Sequence, residues 1–371
     1  MQLLLLPLYI LLVCFVVKET AGNPYVKMFG LKVNILYSAI FLLMILTNGL
    51  RAVSVGVDTV KYYYYYTEEY GPSQILEALI GNGFREPLFT ISNVVGNRLY
   101  APFWVYLLAV STFVFLCISL FISKYSSEPL LSLAIYIFLD YYILTFSMLR
   151  QTVAMSFCLL FFVIKRNDNR DIFRFLICLM AAFGFHASAI VFFPAYFFIR
   201  TKRRRSTFLI LAVIAVASFI SKDCFLGLIK YIAEHISAKF YKINLYAGGH
   251  YGLMYYLLLW AIVIASILCT DNNFFIRNEV WIYMLQIALI LFPHVMGGFA
   301  AMRVLLYYTI FVIILLPNLL DFIKPCELRF IGKWVVLIAG SGYYYYRLMG
   351  NGYKLLPYRF FFQNLDLPGI K

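Results

Sequence analysis

Charge in this chain concentrates at the joints between apolar stretches, and two kinds of joint alternate. One kind is plainly basic: Lys124, Lys165-Arg166 and the run Arg200-Thr201-Lys202-Arg203-Arg204-Arg205. The other carries isolated polar groups in apolar surroundings: Arg51, Asp58, Glu86, Arg150, His186 and Arg303. The chain is 63% hydrophobic and only 13% charged, whereas a soluble domain is about 25% charged. So apolar a chain would leave more greasy surface than a water-soluble fold can cover. Repeated stretches of membrane-spanning length therefore predict an all-α, polytopic integral membrane protein, with residues 1–371 forming one multi-pass domain.

Hydropathy places spans near 3–17, 33–50, 101–123, 130–148, 151–164, 206–221, 251–269, 280–296, 302–323 and 334–346. The stretch 172–199 is long for one upright span and short for two. Basic joints flank it on both sides, so both flanks belong on the cytoplasmic face. The chain is expected to go out and back there, as a broken pair meeting at Gly184-Phe185-His186. A re-entrant hairpin is the alternative, since irregular backbone at membrane depth needs protein or water around it. Counting that pair as two gives about 12 crossings, with every basic joint inside and the N-terminus outside. Met1–Val17 reads as a retained span rather than a signal peptide, because it lacks a positive n-region and Glu19-Thr20-Ala21 makes a poor cleavage site.

Two external loops, 51–100 and 222–250, mix apolar and charged residues at helical spacing. Both are expected to lie on the membrane as amphipathic helices. The tail, 347–371, is left without a role. No internal repeat is visible, which weighs against an inverted-repeat transporter.

The net charge of +14 sits largely in short joints, as the positive-inside rule expects, and does not point to nucleic acid. The seven cysteines are scattered, with no CxxC and no Cys/His cluster. Neither a structural metal, a disulfide framework nor a cofactor is expected. The tyrosine runs Tyr62–Tyr66 and Tyr343–Tyr346 are read as interface anchors, with sugar stacking as the alternative.

Arg150-Gln151 lies between two apolar stretches with few residues in which to turn. Its guanidinium must snorkel outward or sit in a wet, protein-lined cavity, where a bound anion would stabilise it. Arg303 opens an apolar helix, and a cation at a helix N-terminus opposes the dipole unless an anion compensates. Arg51 stands at the outer end of its span. Arginine suits bidentate phosphate contacts, so Arg51, Arg150 and Arg303 suggest recognition of a lipid-linked phosphate or diphosphate. Asp58, Glu86 and His186 are the possible proton handlers. Pro87 keeps Glu86 out of the helical region, and its bland partner would be Arg85 or Arg98. Asp140, inside a span, needs a partner, and Tyr141 or Tyr142 is expected to supply it.

Five segments stand in a familiar order: "RAVSVGVD", "REPLF", "LRQTVA", "FHASA" and "RVLLYY". Over roughly residues 35–310 the chain resembles the EpsG-type, Wzy-like polymerases of bacterial exopolysaccharide, capsule and O-antigen. Arg51, Gly56 and Asp58 match the first motif, Glu86 and Pro87 the second, and Arg150 and Gln151 the third. His186 and Ser188 match the fourth, Arg303 and Tyr307 the last. Thr59 departs from the aromatic residue often found after the aspartate, and no motif matches beyond about Phe330.

The resemblance implies a GT-C-like architecture in the bacterial cytoplasmic membrane, with an active face on the extracytoplasmic side. It implies polymerisation of polyprenyl-diphosphate-linked oligosaccharide, without a metal, alongside a flippase and a chain-length regulator as partners. Arg150 and Arg303 would hold the diphosphate, with Arg51, Gln151 and Tyr307 in support. His186, Asp58 or Glu86 would act on the acceptor hydroxyl, and the sequence does not choose among them. Three rivals share these features: a flippase for the same lipid-linked sugars, a glycosyltransferase adding single sugars, and a membrane acyltransferase using His186.

Overall fold

A computed structural model describes residues 4–5, 25–28, 31–200, 205–221, 252–269, 271–295 and 299–363. Most of the predicted span 3–17, the loop 222–250, the basic residues 201–204 and the turn residues 296–298 lie outside the described residues. The framework is helical. The one sheet among the described residues is an antiparallel hairpin of β1 (Tyr25–Met28) and β2 (Leu31–Asn34). The chain divides into two compact units, residues 1–190 with 326–371, and residues 191–325.

In the first unit, α1 (Ile35–Gly49) leads into the first long loop, residues 51–100. That loop is largely helical, as its spacing predicts: α2 (Thr59–Tyr64), a π turn over Tyr65–Glu69, α3 (Ile75–Gly81) and α4 (Pro87–Arg98). Then follow α5 (Phe103–Tyr125), α6 (Pro129–Phe138), α7 (Tyr141–Ser147), α8 (Leu149–Ile164) and α9 (Asp171–Phe185). Proline opens both α4 and α6 at a position where its fixed φ suits a helix start and its missing N–H is no loss. Helix α5 packs on α1 and α8, and α8 packs on α9. Lys124, in the last turn of α5, donates to the carbonyls of Phe162 (3.1 Å) and Val163 (2.8 Å), which satisfies the closing turn of α8.

The predicted span 130–148 is broken. Helices α6 and α7 meet at an angle of 54°, and Asp140 at the joint is left-handed, with φ 66°. Its partner is not Tyr141 or Tyr142. Arg347 Nε donates to Asp140 Oδ2 at 2.6 Å, and Lys333 Nζ donates to Glu128 Oε1 at 2.6 Å. Both cations come from α16 (Cys326–Met349), the long helix that contains the predicted span 334–346. A buried carboxylate needs a charge partner more than a hydroxyl, and α16 lies along α6 to supply it.

The tyrosine runs also differ from expectation. Tyr62 and Tyr66, one helical turn apart, are buried with Tyr70, Phe89, Phe103 and Tyr106 in one aromatic cluster. Tyr344 is buried too and donates to the Leu4 carbonyl at 3.0 Å, whereas Tyr345 and Tyr346 stay exposed.

The second unit holds α10 (Ala195–Arg200), α11 (Arg205–Ile220), α12 (Leu253–Leu268), α13 (Asn272–Val295), α14 (Phe299–Thr309) and α15 (Val312–Asp321). Phe208 of α11 packs on Tyr283 of α13 with ring centroids 4.2 Å apart, and Gln286 Nε2 reaches the Phe208 carbonyl at 2.7 Å. Asn318 of α15 donates to Asn278 of α13 at 2.7 Å, a buried amide pair between apolar helices.

Among the described residues, Phe103–Tyr125, Asn272–Val295 and Arg303–Asp321 are long and apolar enough to cross a membrane, and the bent pair α6–α7 makes up to 4. Shorter apolar helices, such as Leu149–Ile164 and Leu253–Leu268, accompany them.

Arg347→Ala strands the Asp140 carboxylate, whose side chain is only 11% exposed. The expected cost is about 3–5 kcal/mol, read as a lower Tm of the detergent-solubilised protein. Adding Asp140→Asn should restore much of the loss, and an unchanged Tm in the single variant would contradict this pairing.

Candidate active site

Arg150 is the second residue of α8, just after a backbone break at Met148. The positive end of a helix dipole disfavours a cation there. The compensating anion is Glu86, whose Oε2 accepts from Arg150 Nη1. The bland partners, Arg85 and Arg98, are therefore not the ones that hold this carboxylate. Arg150 also sits over two aromatic rings, 5.3 Å from the Phe89 centroid and 5.8 Å from that of Tyr62.

Glu86 owes its place to the residue after it. Pro87 starts α4 and bars Glu86 from the right-handed helical region, and Glu86 is left-handed at φ 47°, ψ 56°. The turn is pinned by Asn82, whose Nδ2 donates to the Arg85 carbonyl (2.5 Å) and to Thr90 Oγ1 (3.0 Å).

His186 reaches the same carboxylate from α9. The helix ends at Phe185, and His186 is extended at φ −155°, ψ 119°, so the expected break falls at this residue. Gly184 lets α9 close on α4, because a Cβ there would lie 2.6 Å from Leu88 Cγ. His186 Nδ1 and Glu86 Oε1 are 2.5 Å apart, and the Ala187 amide donates to the same oxygen at 3.4 Å. Side-chain exposure is 27% for Arg150, 20% for His186 and 11% for Glu86. The cation and the imidazole are thus partly exposed, while the carboxylate between them is mostly covered.

Burial pushes the Glu86 carboxyl up, but the His186 hydrogen bond and the Arg150 charge outweigh it and hold Glu86 below the usual range. An ionised carboxylate only accepts. Nδ1 of His186 therefore carries the hydrogen of this contact.

Of the other predicted residues, Arg51, Asp58 and Gln151 belong to the first unit and Arg303 and Tyr307 to the second. Arg51 is 1% exposed and donates to the Asn48 carbonyl, to Asn48 Oδ1 (2.9 Å) and to the Phe146 carbonyl (3.3 Å). Gln151, next to Arg150, is buried. Asp58 is half-buried at the head of α2, where its carbonyl accepts from the Tyr62 amide at 3.1 Å and its side chain makes no cap. Arg303 and Tyr307 lie on α14 in the second unit, with Tyr307 buried. Sequence reasoning missed Phe89 beneath Arg150, read Tyr62 as an interface anchor, and took Gly184 as part of the break rather than as the point of close approach to α4. The small residue between two phenylalanines was the available signal for Gly184.

A protein-family model described as the EpsG family matches residues 34–360, nearly the whole chain. No curated protein and no solved structure matches.

A depressed carboxyl stabilises the fold above its unfolded pKa of about 4.3 and loses that contribution as pH falls through the lower folded value. The Tm gap between the wild type and Glu86→Gln is therefore expected to be widest near neutral pH and to close as pH falls below about 4. A gap that stays constant with pH would mean Glu86 is not the ionised partner described.

Proposed function

This chain belongs to the EpsG family, a family of Wzy-like polymerases. On that premise we propose that it polymerises polyprenyl-diphosphate-linked oligosaccharide units into a surface polysaccharide. The reaction takes place on the extracytoplasmic face of the bacterial cytoplasmic membrane. The observation that carries the reading is the shared carboxylate: a cation and a base from two different helices meet on the two oxygens of Glu86.

In this reading His186 Nε2 accepts the proton of the acceptor hydroxyl on the incoming lipid-linked unit. That oxygen bonds to the anomeric carbon of the growing chain. The bond from that carbon to the lipid diphosphate breaks, and the diphosphate leaves with the electron pair. Arg150 stabilises the charge that develops on it. Its guanidinium has five donors, of which Nη1 also serves Glu86. Glu86 keeps the imidazole in its working tautomer, as an orienting carboxylate does for other imidazole bases. Arg303, on α14, is a second cation assigned to lipid diphosphate, with Tyr307 in support on the same helix, and Gln151 supports Arg150 on α8. Asp58, half-buried in the first loop, is assigned to sugar hydroxyls of the acceptor. A chain-length regulator and a flippase are the partners this reaction calls for.

The test uses purified protein in nanodiscs with lipid-diphosphate repeat units. The expected product is a ladder of lengthening chains. No ladder, with faster movement of the lipid across the bilayer, would instead make the protein a flippase. His186→Ala should slow extension about 10²–10⁴-fold, and Arg150→Ala should abolish long chains while the protein stays in the membrane. A normal chain-length distribution in either variant would remove that residue from the mechanism.

A further inference from the structure

Arg51 is buried against carbonyls rather than exposed to a ligand, and the segment after α16 folds back onto it. This segment, residues 351–363, is organised by Asn351, whose Oδ1 accepts from the amides of Leu355 (2.7 Å) and Leu356 (2.9 Å). It then forms a strap along the first loop. The Ala52 amide donates to the Arg359 carbonyl (2.9 Å), the Phe361 amide to the Leu50 carbonyl (2.9 Å) and the Gly56 amide to the Lys354 carbonyl (3.0 Å). Tyr358 donates to the Thr47 carbonyl at 2.6 Å, and Phe361 stacks on Trp104 of α5 with centroids 4.7 Å apart.

The inner side of the same loop clips the end of α7. The Phe146 carbonyl accepts from both Arg51 Nη2 and Thr59 Oγ1 (3.1 Å). Ser147 is held twice, its hydroxyl by the Val57 amide (3.1 Å) and its carbonyl by Tyr62 (3.2 Å). Gly56 has φ 96°, and a Cβ there would lie 2.3 Å from the Phe146 oxygen. Only a glycine allows this approach. Asn48, which accepts from Arg51, is itself locked by Thr145 (2.8 Å) and Ser111 (2.6 Å). Phe146 and Ser147 precede Arg150 by only a few residues, across the break at Met148.

We propose that Arg51 and the strap 351–363 form a positioning device, which fixes the α7–α8 joint and thereby the Arg150 guanidinium. Arg51 is a positioning residue and does not touch the lipid diphosphate. The device rests on the role assigned to Arg150 above, but its structural half stands independently. A buried guanidinium shared by two backbone carbonyls and an amide cannot be replaced by an ammonium, because lysine lacks the planar fork. A phosphate contact, in contrast, tolerates lysine as a point charge.

The experiment has two arms, both on the full chain in nanodiscs. The first follows hydrogen exchange in wild type, Arg51→Lys and Phe361→Ala. Both variants should exchange the amides of residues 146–151 at least about tenfold faster, with α9 changed less than about twofold, because local opening is read segment by segment. Phe361→Ala removes only a stacking contact of the strap and keeps the arm decisive should Arg51→Lys fail to fold. Unchanged exchange over 146–151 in the folded variants overturns the proposal.

The second arm measures chain extension and its inhibition by inorganic pyrophosphate. Arg51→Lys should lower kcat up to about a hundredfold, as misplacement of a distant group can, with KM and the pyrophosphate inhibition constant within about twofold. Weaker pyrophosphate inhibition, partly retained by lysine but lost in Arg51→Ala, would make Arg51 a phosphate ligand and overturn it. Absence of any ladder in the wild type would sink the polymerase reading, and the exchange arm would still decide the positioning device.

Discussion

Glu86 adopts a left-handed backbone that few residues other than glycine take up, immediately before the proline that opens α4. That conformation costs of order 1–3 kcal/mol. Hydrogen bonds to an ionised acceptor return about 1.5–3 kcal/mol each, and this carboxylate accepts from Arg150, His186 and the Ala187 amide. The strained turn is therefore held by the groups it gathers. Arg150 needs an anion at the start of α8, and His186 needs a partner at the end of α9. One carboxylate serves both helix termini, which is why two separate motifs converge on a third.

The same logic applies to the break that carries Arg150. A chain interrupted at Leu139-Asp140 and again at Met148 leaves backbone groups without helical partners. Buried backbone groups must find partners elsewhere. Those of Phe146 and Ser147 find them in the first loop, and the charge at Asp140 finds Arg347 on α16. The irregular region between α6 and α8 is thus made rigid by elements distant in sequence: the loop from one side, and the C-terminal helix with its strap from the other.

Much of this was legible in the residues alone, for identifiable reasons. The helical membrane class follows from apolar content, and the break at His186 from basic joints on both sides of a stretch too short to cross twice. That Glu86, Arg150 and His186 belong together was suggested by motif order. Their shared carboxylate was not, because periodicity reports which face is apolar and says nothing about which distant polar group a side chain meets. Asp140 shows the limit: its neighbours Tyr141 and Tyr142 were near in sequence, but its partner lies 207 residues away on α16. Tyr62 misled for a related reason. A tyrosine run reads as an interfacial belt by composition, while helical spacing turns Tyr62 and Tyr66 inward to the aromatic cluster.

The arginines divide by what already occupies them. Arg51 has carbonyl partners and almost no exposure, so an arriving anion would first have to dismantle the α7–α8 joint. Arg150 is paired with a carboxylate and remains 27% exposed. That pairing has a consequence for the proposed reaction. Because Glu86 already pairs with its guanidinium, Arg150 would gain little from a diphosphate that is still bonded to sugar. In the proposed reaction it would gain more as the bond breaks and charge moves onto the leaving oxygen, while His186 would act on the acceptor hydroxyl from the other arm of the same carboxylate. Interactions that strengthen only as the transition state forms accelerate chemistry, and those made equally in the ground state do not. In the proposed reaction, an arginine already paired with Glu86, which also holds His186, would fall in the first group.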